Sequence, residues 1–393
     1  MWINQKQEAM KKRTIIISAL VILILIVIKI VWVYTYTKDN GTFEGEKKDI
    51  LARKNYLVEK FVTSPYRVLD EMPSGIGMQF QGEWALYSCS MLTAALVNIA
   101  ELYPETEDEA LQCIDELIYI VQSPELRQYD RMRWGEDPLE TLNGDESHVS
   151  YLSHLAWMIS GWKRMGGDDR YDKLYKSLCG TMNRRMLQSP TLNLPTYPDE
   201  FIYVPDMLVA IVALSNYAKQ NDGEYASTVE KWMQKAKTEW IDEETGMLAS
   251  FLLTDSLDTE EPLPVKGSYS ALNCYYLTLI DPVFAKEQYD RLKENFLQEV
   301  PMTGMKEYSD RFCPFGLDID AGPIVFNLSP SGTAFAIGSA TYFEDTKVRN
   351  GLLKTTEIGG STISWNNGRH YWLTNLALVG EAIILAMRTN VKE

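Results

Sequence analysis

Residues 84–102 read WALYSCSMLTAALVNIAEL, and residues 106–121 read TEDEALQCIDELIYIV. The first stretch is apolar on every helical face. The second carries acids on one side and an apolar stripe on the other. A helix apolar all round is buried, whereas a single stripe marks a surface helix. Only a short turn around Pro104 separates them, the usual length for a helical hairpin.

The same pair recurs along the chain. Six very apolar helical stretches are expected at 84–102, 148–165, 205–219, 269–280, 330–343 and 371–387. Each follows a more charged, amphipathic stretch, at 49–63, 106–121, 171–187, 225–240, 283–299 and 345–355. An apolar stretch reaches the next charged one through roughly two to five residues, and the return runs to roughly fifteen to thirty. Alternation of this kind predicts an all-α fold with an inner ring of six helices and an outer ring of six. All long connectors then emerge on one face, where binding and catalytic groups are expected.

Local punctuation supports the division. Thr106-Glu107-Asp108-Glu109 has the form of a capping box. Gly166-Gly167-Asp168-Asp169 and Asn221-Asp222-Gly223 are turn clusters, and Asp281-Pro282 suits an N-cap followed by the first helical residue. Pro205 suits the opening of the third apolar helix. Strand pieces are expected only within long connectors, at 246–254 and 360–365. Pro301, Pro314 and Pro323 exclude a continuous helix over 300–329. Because of that stretch and the short one at 345–355, five pairs with an irregular closure is the alternative to six.

The N-terminus reads differently. Residues 15–28 carry no charge, and Trp32, Tyr34 and Tyr36 follow as an interfacial aromatic cluster. About 20 residues cross a bilayer, so 15–36 suffices as a transmembrane anchor, with Lys29 near one end able to snorkel. Lys11, Lys12 and Arg13 place residues 1–14 in the cytoplasm and the body outside it. No small-residue cleavage pattern follows the apolar run, which favours an uncleaved anchor over a signal peptide. Residues 37–48 read as a linker and 49–393 as the ring domain. Beyond residue 38 the chain keeps 32 of its 38 basic and 53 of its 54 acidic residues, a balance of −21. A body that acidic repels nucleic acid and excludes it as a partner. The expected partners are the lipid bilayer, through the anchor, and a carbohydrate or other small hydroxylated substrate. The five cysteines (89, 113, 179, 274 and 313) show no metal spacing and read as core or inert thiols.

The connectors that open each apolar helix gather carboxylates, aromatics and amides. Gln81, Glu83 and Trp84 precede the first. Trp134, Glu136, Asp137, Asp145 and His148 precede the second. Tyr197, Asp199, Glu200, Tyr203 and Asp206 precede the third, and Lys266, Ser268 and Tyr269 the fourth. Tyr308, Asp310, Arg311, Asp318 and Asp320 precede the fifth; Trp365, His370 and Tyr371 precede the sixth. Aromatic faces stack on sugar rings and acids bind hydroxyls. Two acids held in different protonation states perform general acid/base chemistry, including glycosidic cleavage. Glu200 and Asp145 are the expected acid/base pair, with Glu136 and Asp206 as substitutes. Trp84, Trp134, His148, Tyr151, His154, Tyr197, Tyr203, His370 and Tyr371 are expected to line the pocket. Plain structural roles stand beside these: Asp145 and Ser147 as helix caps, Asp199 and Glu200 near a helix N-terminus, His154 as a core histidine, Asp318 and Asp320 as solvated loop acids. No zinc motif, nucleophile elbow, phosphate loop or dinucleotide fingerprint is present, so neither metal nor cofactor is expected.

The twelve-helix pattern resembles the (α/α)6 toroid of the six-hairpin glycosidase superfamily. Within that architecture, Tyr151-Leu152-Ser153-His154, Gly167-Asp168-Asp169-Arg170-Tyr171 and Tyr203-Val204-Pro205-Asp206 are similar to motifs of the linalool dehydratase-isomerase-like group. That resemblance implies a lyase or isomerase acting on a small hydroxylated molecule, with Tyr151, His154 and Asp206 lining its pocket. The group's cysteine position is Tyr203 here, so its cysteine-assisted dehydration lacks the thiol. A membrane-anchored extracytoplasmic enzyme acting on a carbohydrate or envelope glycan is the leading expectation. The lyase reading and a non-catalytic binding or scaffold domain are the alternatives.

Overall fold

The computed structural model describes residues 2–62, 68–73, 75, 77–254 and 263–392, with side chains from Met10 onward. The protein is mainly helical, 65% helix and 8% strand. Its α-helices in chain order are α1 (Trp2–Thr37), α2 (Phe43–Phe61), α3 (Met78–Leu102), α4 (Glu107–Val121), α5 (Pro124–Trp134), α6 (Val149–Arg164) and α7 (Asp172–Gln188). They continue with α8 (Val204–Gln220), α9 (Ala226–Thr238), α10 (Gly267–Ile280), α11 (Pro282–Phe296), α12 (Pro330–Tyr342), α13 (Thr346–Gly360) and α14 (Val379–Arg388).

The apolar helices pack in a cyclic order. α3 touches α6, α6 touches α8, and the contacts run on through α10, α12 and α14 back to α3. Their side chains are buried almost throughout, as all-round hydrophobicity requires. The charged helices lie outside them: α4 on α3, α7 on α6, α9 on α8, α11 on α10, α13 on α12, and α2 on α14. Each long connector therefore runs from the end of an outer helix to the start of an inner one. All inner helices begin at the same end of the ring, called the mouth below. α3 is long and apolar enough to cross a membrane, but 72% of its most apolar window is buried, so it is a core helix.

Several local expectations hold. Asp281 accepts from the Val283 and Phe284 amides with Pro282 in the first turn of α11, and Pro205 sits in the first turn of α8. The 297–329 region is irregular, with short hairpins β3 (Leu297–Gln298) with β4 (Gly304–Met305) and β5 (Phe315–Asp318) with β6 (Gly322–Val325). Two further pairs occur: β1 (Ile202–Tyr203) with β2 (Phe251–Leu252), and β7 (Thr362–Trp365) with β8 (Gly368–Tyr371). The five cysteines are free, four of them buried.

Other expectations are corrected. The capping box is not formed: the Thr106 hydroxyl donates to the Tyr103 carbonyl, and Glu109 is taken by Lys54 at 2.5 Å. α5 lies inside a connector expected to be loop; its Asp and Arg residues hide its stripe. The sixth apolar helix begins at Val379, because 368–371 is a strand. α3 starts at Met78, which brings Glu83 onto the helix. The 37–48 linker shrinks to a turn, since Thr42 caps α2 by accepting from the Gly45 amide at 3.1 Å.

α1 is exposed along its apolar length, and 28 residues, Met10–Thr37, fit a signal anchor or signal sequence. Its last third packs on α13. Lys29 does not snorkel: its ammonium donates to the Glu357 carbonyl at 3.1 Å and the Ser361 hydroxyl at 2.6 Å, and the Trp32 indole donates to Glu357 at 3.0 Å.

Candidate functional site

The first turns of α3 and α8 place two acids at the mouth. Glu83 and Glu101 are the only charged residues of α3, and Asp206 is the only acid of α8. Gly82 allows the site to form. A Cβ there would lie 2.5 Å from the Cβ of Tyr129, so only glycine lets α5 pack against α3 beside Glu83.

Asp206 is buried and accepts from the Tyr87 hydroxyl at 3.2 Å and the Thr196 hydroxyl at 2.8 Å. Burial pushes its pKa up to about 6; those two donors, which favour the carboxylate, only partly offset it. Glu83 is raised further, to about 8, by burial and then by the charge of Asp206, while Tyr197, Asp320 and Arg133 add smaller effects. Two acids in one site that cannot both ionise readily give one proton-bearing and one ionised carboxyl near neutral pH.

Around them stand tyrosines. The Tyr197 hydroxyl is near enough to Glu83 to favour its carboxylate but makes no hydrogen bond of regular geometry. Among the described residues the hydroxyls of Tyr129 and Tyr276 are also buried without a partner of regular geometry. Buried polar groups are normally satisfied, so three such hydroxyls around two carboxyls point to a polar interior built to receive a ligand or water.

The rim carries aromatic rings and further charges. Tyr203, Phe251 and Tyr269 form a cluster with centroids 5.0–6.0 Å apart, Phe251 being brought in by the pairing of Tyr203 with Phe251. Lys266 lies over this cluster, bonded to Asp318 at 2.7 Å and 3.5 Å from Asp320. Lys266 holds Asp318 below the usual carboxylate range against the opposing effect of burial, whereas burial raises Asp320. Glu307 binds the Ser268 amide and hydroxyl at the start of α10, where a Cβ on Gly267 would collide with the Lys306 carbonyl. Burial raises Glu307 to about 7. Among the described residues no group of acids, histidines and cysteines is arranged to hold a metal ion.

The structure separates the expected site residues. Asp206, Tyr197, Tyr203 and Glu200 belong to the mouth. Glu200 is ion-paired with Arg133, whose guanidinium lies 4.0 Å from the Tyr197 ring centre, and it faces the Tyr203 hydroxyl at 3.5 Å. Asp145 is not brought to Glu200: its side chain is 90% exposed and turned to Arg184 of α7. Glu136 accepts from His148 at 3.3 Å, and His148 is bonded to the buried Asp130 at 2.5 Å, with Trp134 beside its ring. Tyr151 is a core residue whose hydroxyl donates to the Val121 carbonyl at 2.9 Å. His154 is buried, bonded to Ser90 at 2.8 Å, and held neutral by burial, with its pKa lowered to about 3. It lies one layer below the mouth, its ring 4.3 Å from Tyr87. Trp84 is half-buried against the core.

His370 and Tyr371 leave the expected pocket altogether. The hairpin of 362–371 folds down over α2, so His370 stacks on Tyr56 at 4.0 Å and Tyr371 covers Arg53 at 3.9 Å. Glu83 is grouped with the connector before the first apolar helix but given no role, and Tyr87, Tyr129, Tyr276 and Arg133 are not among the expected site residues. For Glu83 a signal exists: a single acid near the start of an otherwise apolar helix has no structural excuse. Tyr129 had none, since α5 was read as loop. No known protein family matches the chain, and no curated protein is similar to it.

Proposed function

We propose that the protein is a membrane-anchored (α/α)6 toroid enzyme of the six-hairpin glycosidase type, acting on a carbohydrate or envelope glycan outside the cytoplasm. The toroid reading is supported by the cyclic packing of α3, α6, α8, α10, α12 and α14 with a charged helix outside each. The enzymatic reading is carried by one observation: Asp206, buried, and Glu83, half-buried, sit at the same mouth with pKa values pushed up unequally, to about 6 and about 8.

In this reading Glu83 is the proton donor to the departing glycosidic oxygen. Asp206, ionised, either takes a proton from the attacking water or stabilises the positive charge that develops on the sugar. Tyr87 and Thr196 hold Asp206 in place. The Tyr203, Phe251 and Tyr269 cluster offers faces for sugar rings, and Arg133 with Glu200 offers hydrogen bonds to hydroxyls. Tyr151 spends its hydroxyl on a backbone carbonyl, so the geometry gives the lyase reading no catalytic tyrosine there.

The test is a panel of oligosaccharides assayed for new reducing ends and for anomeric configuration. Turnover cut at least about 10²-fold in both Glu83→Gln and Asp206→Asn, with folding intact, supports the assignment. Turnover retained in both variants would falsify it.

A further inference from the structure

Three observations concern how the mouth is oriented. The first is the path of α1. Lys29 is tied to Ser361, just past the end of α13 and therefore at the mouth. Asn40 is bonded to Arg388, the last residue of α14 and therefore at the opposite end, at 3.1 Å. The last third of α1 thus runs down the outside of the ring, and its apolar part projects beyond the mouth.

The second is a length. Residues 14–28, between Arg13 and Lys29, are uncharged. Fifteen helical residues span about 22 Å at 1.5 Å each, against a hydrocarbon core of about 30 Å. No spacer separates the apolar helix from its first contact with the ring. A bilayer crossed by α1 must reach down to the level of Lys29, whose ammonium already donates to the Glu357 carbonyl and the Ser361 hydroxyl.

The third is the rim itself. Large apolar side chains stand exposed on the mouth-side connectors: Phe315 and Leu317 of β5, Phe326 just after β6, and Trp372, Leu373 and Leu376 before α14. Leu317 is 81% and Trp372 57% exposed. Exposed apolar clusters mark interaction surfaces, and rings such as tryptophan favour the bilayer interface. The body's balance of −21 repels an anionic surface, so attachment has to be apolar.

We propose that the mouth lies against the bilayer crossed by α1, so that the group reaching Glu83 and Asp206 is a saccharide head carried on a lipid of that leaflet rather than a free polymer. This rests on the proposed anchor and on the acid/base reading of the site. The rim residues rest in the interface, and the aromatic cluster of Tyr203, Phe251 and Tyr269 receives the head group just above it.

The full chain is reconstituted in vesicles of dibrominated phosphatidylcholine, whose bromines quench nearby tryptophan. Trp32→Phe and Trp372→Phe are each expected to remove roughly one tryptophan's share of the quenched signal, and Leu317→Trp to add one. Trp365→Phe is expected to leave it unchanged, because Ser364 lies beside Tyr36, about 10 Å along α1 from Lys29. Failure to float with vesicles, or no loss in Trp32→Phe, overturns the anchor. Flotation with Trp372→Phe and Leu317→Trp silent, or with Trp365→Phe as large as Trp372→Phe, overturns the docked mouth. Oligosaccharides offered free and as dialkyl-anchored conjugates in the same vesicles test the substrate: faster Glu83-dependent cleavage of the conjugates is expected, and equal rates overturn it. No cleavage of either overturns the acid/base reading, and the quenching result still decides the docking.

Discussion

Two buried polar regions of this molecule are built on opposite principles. At the seam between α2, α13 and α14, the carboxylates of Glu46, Asp49 and Glu381 each meet a guanidinium. Glu46 is gripped by both Arg349 nitrogens at 2.5 and 2.8 Å and by Arg388 at 2.6 Å. Asp49 binds Arg53, Arg369 and Arg388, and Glu381 binds Arg53 at 2.7 Å. At the mouth, Glu83, Asp206 and Asp320 share few cations, and among the described residues the Tyr129, Tyr197 and Tyr276 hydroxyls have no hydrogen-bond partner of regular geometry. Burial works against the charged form in both regions. At the seam, Arg53 and Arg388 overcome it and hold Asp49 far below its ordinary value. At the mouth nothing does, and Glu83 and Asp206 rise. The first arrangement ties the helix that follows α1 to the last outer and last inner helices, and so closes the ring. The second leaves protons available near neutral pH.

The largest expected effect comes from breaking the seam. Arg388→Met leaves Glu46 and Asp49 buried with fewer partners, and removing one member of a buried pair costs about 3–5 kcal/mol. Denaturant unfolding at pH 7 reads this. Asp49 has a depressed folded pKa, so its stabilising share is present above the unfolded value near 4 and is lost as pH falls. The penalty of Arg388→Met is therefore expected to shrink toward acid pH; a penalty independent of pH would contradict the ion-pair account.

Glu83→Gln is the mirror image. Removal of a general acid typically costs 10²–10⁴-fold in rate. Stability moves the other way. The folded pKa is raised above the unfolded one, so between about 4.5 and about 8 the folded state binds more protons and stability falls as pH rises. Glutamine carries no such penalty. The variant is expected to be more stable than the natural chain at pH 8, by about 1–3 kcal/mol, and to match it at pH 5. Loss of stability at both pH values would place Glu83 with the structural acids.

The two regions also differ in how far the sequence disclosed them. The ring was legible because all-round hydrophobicity alternating with stripes is a local property, repeated six times. Connector lengths pointed to the face where the inner helices begin. Asp206, Tyr203 and Tyr197 lie there because they sit in or just before the first turn of an inner helix. Asp145 points to solvent instead, because acids near a helix start serve solvent as readily as a cavity. Which acid meets an arginine is set by contacts such as Glu46 with Arg349 and Arg388, some three hundred residues apart. His370 misled for the same reason: its connector folds back over α2, which no local pattern shows.

A smaller effect concerns the mouth alone. In the proposed mechanism turnover needs Asp206 ionised and Glu83 protonated, so the rate is expected to rise as pH passes about 6 and to fall as it passes about 8. These limits belong to the coupled pair. In Glu83→Gln the residual rate should lose the alkaline limb and keep the acid one. A profile with both limbs retained would assign the falling limb to another group, with Glu307 and Asp320 the nearest candidates.

The smallest effect is expected at Asp145. Its carboxylate is almost fully exposed, and its 3.4 Å contact with Arg184 is a surface pair. Such pairs contribute little, because water screens them and two long side chains lose freedom to hold the geometry. Arg184 also keeps the Leu142 and Gly144 carbonyls at 3.0 and 2.7 Å, so it stays anchored without the acid. Asp145→Asn should then shift stability by no more than about 0.5 kcal/mol and leave turnover unchanged, while Asp206→Asn, at the start of the next inner helix, abolishes it. Equal losses in the two variants would mean that the connector before α6 closes over the mouth during turnover and carries its acid inward. The distinction between an acid held by burial and one held by solvent would then fail for this ring.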